Sequence, residues 1–262
     1  MGLALGASAG FVTNPGATLT TWTAATGDSN SVRNFNGSSE AFIINMWGSG
    51  ATAGLLQVYS PRLHDTTRGI RYKLLAANAS PPWQMGYVQR IYPQDTLVPQ
   101  QSGGGAEVDS GCMLQWFADL PGVQSRLVLP EQVKNRVEHL VTVETTHTAG
   151  TAGDWSGSVA LNSGSNLLKA NRDYVLLGFA VDTAGVSVGL RGPDTGNLRV
   201  AGPMTTDRKV TGSWYEDLSN RTGKPCAVII NAANAGATFV DLQSNAGSGT
   251  VVIEHTFALL AA

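Results

Sequence analysis

Charge is what this sequence has least of. Only 14% of its 262 residues are Asp, Glu, Lys or Arg, against about 25% in an ordinary globular chain. The formal net charge is -2. No basic field exists to neutralise phosphates, so no specific nucleic-acid partner is expected. The densest basic stretch, Arg62, Arg68, Arg71 and Lys73, reads as a solvated strand face or an interface rim. Cysteine is nearly missing. Cys112 and Cys226 give neither a disulfide framework nor a zinc spacing, and buried, unpaired thiols made in a reducing cytoplasm are the default. No run approaches the roughly 18–20 apolar residues of a membrane span, so no membrane partner is expected. The opening MGLALGASAGFVTNPG has no Lys or Arg ahead of a mild apolar run broken by Gly and Ser, which makes it a poor secretory signal. Residues 1–16 read instead as a Gly/Ala/Thr-rich N-terminal arm, which buries little by itself and needs a neighbour to pin it.

Catalytic strings are also missing. The four histidines, His64, His139, His147 and His255, form no HExxH motif and no Cys/His ligand spacing. His64 stands beside Asp65, but a sequence neighbour is not a triad. No GxSxG elbow occurs. GSGATAG at 48–54 lacks the Lys-Ser/Thr ending and the following helix of a phosphate loop, so a hairpin turn is expected there. These absences predict a non-enzymatic protein with no cofactor and no metal.

What is present is short strands. TLTTWTA, EAFIINMW, GLLQVYS and GIRYKLL in the first half, and DYVLLGFAV, GVSVGL, NLRVAG, CAVIIN, ATFVDL and TVVIEHTFALL in the second, are rich in β-branched or aromatic residues. Gly, Ser, Asn, Asp and Pro separate them. That spacing predicts an all-β protein of sandwich or jelly-roll type. One segment departs from it. LPEQVKNRVEHL at 129–140 has the Pro-Glu start and apolar spacing of a short helix, at most one in the chain; continuation of VEHLVTVETT as strand is the competing reading.

The chain also writes one phrase twice, QWFADL at 115–120 and SWYEDL at 213–218. TAGLLQVYSPRLHDTTRGIRY at 52–72 resembles TAGVSVGLRGPDTGNLRVAG at 183–202, upstream of each phrase. Pieces recurring in one order predict an internal duplication: a first β-sandwich or jelly-roll domain over 17–155 and a second over 156–262. In this alignment Trp116 and Trp214 fill the two cores. Asp119 and Asp217 close turns through their side-chain oxygens rather than act as paired acids. The first copy then carries an insertion at about 76–108. A loop of that length usually binds or interlocks, so Trp83, Tyr87, Arg90 and Tyr92 within it are the candidate interface residues.

An all-β chain of two similar halves, poor in charge, with a small-residue arm and one large insertion, resembles the tandem jelly-roll structural proteins of bacteriophage virions. The resemblance implies a capsid decoration (cement) protein or a capsid protein, made in the host cytoplasm and located in the virion. It implies a homotrimer whose partners are itself and capsid or other virion proteins. Low charge suits large contact areas, because burying unpaired charge is costly. The rival reading is a receptor- or carbohydrate-binding β-sandwich with Trp83, Tyr87 and Tyr92 in a groove. A cupin enzyme would want a His-x-His and Glu cluster, which the sequence does not contain.

Overall fold

The structure, a computed structural model, describes residues 2–29, 35, 39–64, 68–76, 88–104, 107–164, 168–245 and 249–262. The first unit contains β1 (Ala4–Thr13), β2 (Thr20–Thr21), β3 (Thr23–Ala24), β4 (Ala41–Ser49), β5 (Leu55–Tyr59), β6 (Ile70–Lys73), β7 (Gln89–Arg90), β8 (Val98–Ser102) and β9 (Val108–Phe117). The second contains β10 (Leu127–Val128), α1 (Pro130–Val133), β11 (Val137–Thr148), β12 (Trp155–Ala160), β13 (Asp173–Val181), β14 (Ser187–Arg191), β15 (Val200–Pro203), α2 (Arg208–Thr211), α3 (Trp214–Thr222), β16 (Ala227–Asn231), β17 (Phe239–Gln243) and β18 (Thr250–Leu260). The protein is all-β, and its named strands pair antiparallel.

Strand order reveals the architecture. The first unit has sheets β3-β1-β9-β4-β7 and β2-β8-β5-β6; the second has β11-β18-β13-β16-β10 and β12-β17-β14-β15. Set aside the two-residue edge strands β3 and β10. Each unit is then eight strands in two sheets, ordered first-eighth-third-sixth and second-seventh-fourth-fifth. This is the jelly roll, two Greek keys folded face to face. The same order occurs in both units.

The two jelly rolls do not stand apart. β1, β4 and β9 are buried almost end to end, on both faces. One face meets β2-β8-β5-β6 around Trp22, Leu56, Met113 and Phe117. The other enters a second core that unites Leu5, Trp47 and Trp116 of the first unit with Val188, Trp214 and Phe257 of the second. The Trp47 indole N–H donates to the Val186 carbonyl and the Ser187 Oγ, both at 3.0 Å, and the Gln243 amide donates to Gly10 O at 3.3 Å. The result is one slab of stacked sheets whose second core runs from one unit into the other.

A buried ionic clasp fixes the seam. Arg199 Nε lies 2.8 Å from Asp241 Oδ2 and its Nη1 lies 3.2 Å from Asp28 Oδ1. Arg191 Nε also reaches Asp241, at 2.7 Å. Asp28 then accepts from the Trp155 indole at 2.7 Å and from the Ala9 amide at 2.9 Å. Both carboxylates are 3% exposed, and each lone pair set is engaged, which is what makes such burial tolerable.

The first layer is thin for a reason visible in its residues. Gly10, Gly111 and Gly48 sit side by side across β1, β9 and β4. The Trp22 ring lies on that row; a Cβ at Gly10 would stand 2.9 Å from Trp22 Cβ.

Several expectations are corrected here. The N-terminal arm is β1, a strand flanked on both sides, because its Gly, Ala and Ser side chains are small enough to let sheets close over them. Among the described residues three short α-helices occur rather than at most one. Of the helix expected over 129–140, only Pro130–Val133 is α-helical and Val137 onward is β11. β11 pairs with β18, so the seam between units lies at 118–126, not at 155. The proposed insertion at 76–108 supplies β7 and β8, and β8 lies between β2 and β5. The segment 50–54 joins β4 to β5 across two sheets, so it is a corner and not a hairpin turn.

Arg199→Met takes the counter-charge from buried Asp28 and leaves Asp241 to Arg191 alone, and should cost about 3–5 kcal/mol. Trp214→Ala should cost about 3–5 kcal/mol through the cavity it leaves. Chemical denaturation checks both, and losses below 1 kcal/mol would show the clasp or the indole to be dispensable.

Candidate functional site

Of the four residues expected in a binding loop, Trp83 and Tyr87 lie outside the described residues. Arg90 and Tyr92 are brought together with a third that the sequence did not single out for this role. The Arg90 guanidinium lies 5.4 Å from the Tyr92 ring centroid and that of Arg62 lies 4.6 Å from it. Both arginines are exposed and Tyr92 is half-buried. Two cations over one phenol ring hold it by about 0.5–1 kcal/mol each at an exposed site. They make a small basic-aromatic patch on the first unit.

The duplicated phrase does not mark equivalent places. Trp116 is the penultimate residue of β9, whose counterpart in strand order is β18, whereas Trp214 opens α3. Both indoles are buried, at 4% and 0% exposure, but differently. Trp116 Nε1 donates to Pro225 O at 3.0 Å under Lys224, which stands 4.9 Å from the ring. Trp214 Nε1 donates to Ala201 O at 3.2 Å and its ring meets Trp47 edge-on at 5.7 Å. Asp119 follows β9 just before the turn closed by Val123 N–H to Leu120 O, 3.1 Å. Asp217 closes no turn: it lies in the first turn of α3, where its Oδ2 accepts from Ser213 Oγ at 2.8 Å. A carboxylate there suits the positive end of a helix.

A cleft of about 560 Å³ opens where the two units meet, lined by Asn14, Ser49, Glu107, Ala184, Ser244 and Asn245 among others. Asn245 Nδ2 donates to Ser49 O at 3.1 Å, while its buried Oδ1 has no partner. Beside the cleft, Glu107 is followed two residues later by Asp109, whose side chain is 0% exposed. Burial, then the charge of Glu107, pushes the Asp109 carboxyl up to about 7; the nearby Ala51 amide pulls it partly back. Neither Asp109 oxygen reaches hydrogen-bonding geometry.

The histidines are structural where the structure shows their contacts. His64 Nδ1 accepts from the Ser60 amide at 3.2 Å. His147 and His255 are buried, and burial holds both below the usual imidazole range, His255 at about 3. Among the described residues no three His, Cys, Asp or Glu side chains gather to hold a metal, and no helix is long and apolar enough to cross a membrane.

No family model and no curated protein matches this sequence. Among solved structures, the PBSX exported protein XepA aligns over 96% of this chain and 86% of its own, at 10% identity and a TM-score of 0.26. The STIV MCP aligns over 99% and 97%, at 8% identity and a TM-score of 0.20. Similarity this low carries no argument about function.

Asp109 holds its proton more tightly in the fold than in the unfolded chain. Its contribution to stability is therefore full below about pH 4 and falls as pH rises toward 7, by at most about 1.4 kcal/mol per pH unit. Asp109→Asn in chelator-treated protein should match the parent near pH 4 and exceed it in denaturation midpoint at pH 8. A constant difference across that range would sink this account.

Proposed function

We propose that the protein is a structural component of a virus particle: a decoration or cement protein stabilising a phage head lattice, or a jelly-roll capsid subunit itself, acting as a homotrimer. The observation that supports this reading most is the pair of jelly rolls with one strand order, packed into a single slab. Jelly rolls build viral capsid domains and lectin domains alike, and fold alone does not choose between them. The slab favours the first. A subunit that must keep its shape under load gains from two domains sharing one core, whereas a lectin needs only one open groove.

The surface supports it in two places. At the start of β11, an edge strand, Leu140 is 62% exposed and Val137 39%. An apolar groove formed with Val133, Val175 and Leu177 continues from them. Exposed apolar residues along an unpaired strand edge invite pairing with another chain. On the other unit, Arg62, Tyr92 and Arg90 offer the aromatic and arginine side chains that dominate contact energetics. The same patch is the observation that favours the rival, carbohydrate-binding reading.

Light scattering after size exclusion, with negative-stain imaging of the same peak, tests the proposal. The expected mass is three times the 27.4 kDa of the chain, or that of a closed shell, and Leu140→Glu should lower it without lowering Tm. A monomer that binds glycans through Tyr92 would overturn it in favour of the rival.

A further inference from the structure

Asp109 raises a question of charge balance that the virion reading leaves open. It and Glu107 stand two residues apart where the chain enters β9, so their side chains leave on one face. Both oxygens of Asp109 are buried without a hydrogen bond of good geometry, beside the Ala51 amide and the Glu107 carboxyl. None of the ion pairs among the described residues includes either acid. Burying a carboxylate against a second one with no counter-charge is strongly unfavourable.

The surroundings are shaped to the carboxylate. Gly50 and Gly103 wall it from two segments; a Cβ on Gly50 would lie 2.6 Å from Asp109 Oδ1, and one on Gly103 would collide with Oδ2. Glu107 Oε1 would stand 3.3 Å from that same Gly103 Cβ, and it accepts from Thr52 Oγ1 at 3.2 Å. The corner after β4, the end of β8 and the start of β9 therefore converge on one point. They bring two carboxylates and a hydroxyl there, with no nitrogen or sulfur ligand. A set of hard oxygens suits a hard cation, and an irregular one suits calcium better than magnesium, which demands near-octahedral geometry.

We propose that Asp109 and Glu107 hold a divalent cation, of the calcium type, with Thr52 at its edge, and that the ion staples the corner at 50–52 to the strand entering β9. The site owes nothing to which virion role, if any, the protein has. Glu107 also lines the cleft between the units, so the ion would act on the first unit's side of that cleft.

The test is differential scanning calorimetry of chelator-treated full-length protein at pH 8, titrated with calcium chloride and separately with magnesium chloride, with isothermal calorimetry alongside. Saturating calcium should raise Tm by about 5–10 °C, magnesium should do less, and calcium binding should be detected as heat. Asp109→Asn and Glu107→Gln, both expected to keep the parent circular dichroism, should each abolish the shift. No heat and no shift up to millimolar calcium would overturn the proposal and leave a proton shared between the acids as the solution to their burial. An equal calcium shift in Asp109→Asn would overturn it as well.

Discussion

Arg199 is the side chain on which the arrangement of the two units turns. It sits just before β15, reaches Asp241 of its own unit and Asp28 of the other, and lies 5.0 Å from the Trp155 ring centroid. Its main chain takes part too, since Arg199 O accepts from the Ala7 amide at 2.7 Å. That bond falls on the edge of β1 beyond the reach of β3. One residue thus satisfies a strand edge, bridges two buried carboxylates and lies against an indole. Hydrophobic area supplies most of the free energy of the seam, but area has no register. A bidentate cation between fixed acids does, and the seam has one geometry because of it.

Much of the second unit was legible in the sequence. DYVLLGFAV is β13, and CAVIIN, ATFVDL and TVVIEHTFALL become β16, β17 and β18, because β-branched runs bounded by turn residues leave few alternatives. The first unit was harder. Ala4–Thr13 reads as a loose arm because burial is ordinarily inferred from bulk, and here burial comes from smallness. Val98–Ser102 reads as loop because it carries Pro99, yet Pro99 takes its place opposite Val58 and offers its carbonyl to the Trp22 amide. The arginine clasp had no signal at all: Arg199 lies 171 residues from Asp28 and 42 from Asp241.

The repeated phrase misled in an instructive way. Ser213-Trp-Tyr-Glu216 is also a helix start, and Gly223 ends that helix with φ of +65°, so the second copy carried capping signals that the tryptophan match outweighed. Similar words do different work because QWFADL continues a strand already paired on both sides, whereas SWYEDL follows the isolated turn of α2. The structural likeness between the units lies in strand order, which pairs β9 with β18, not with α3. Arg90 and Tyr92 could be singled out because long Pro-rich stretches attract attention; Arg62, from another hairpin, and Asp109, inside a strand, offered no such cue.

The double burial of β1, β4 and β9 has a consequence for how the chain reaches this state. As the ribosome releases the first unit, Leu5, Ile44, Trp47, Leu114 and Trp116 have no cover on their second face, because the residues that cover it come later in the chain. β11 likewise waits for β18, the last strand made. Such long-range pairings slow folding, and the uncovered apolar face is adhesive in the interval. The two units therefore depend on each other: a fragment ending near residue 126 would leave the second face of β1, β4 and β9 uncovered.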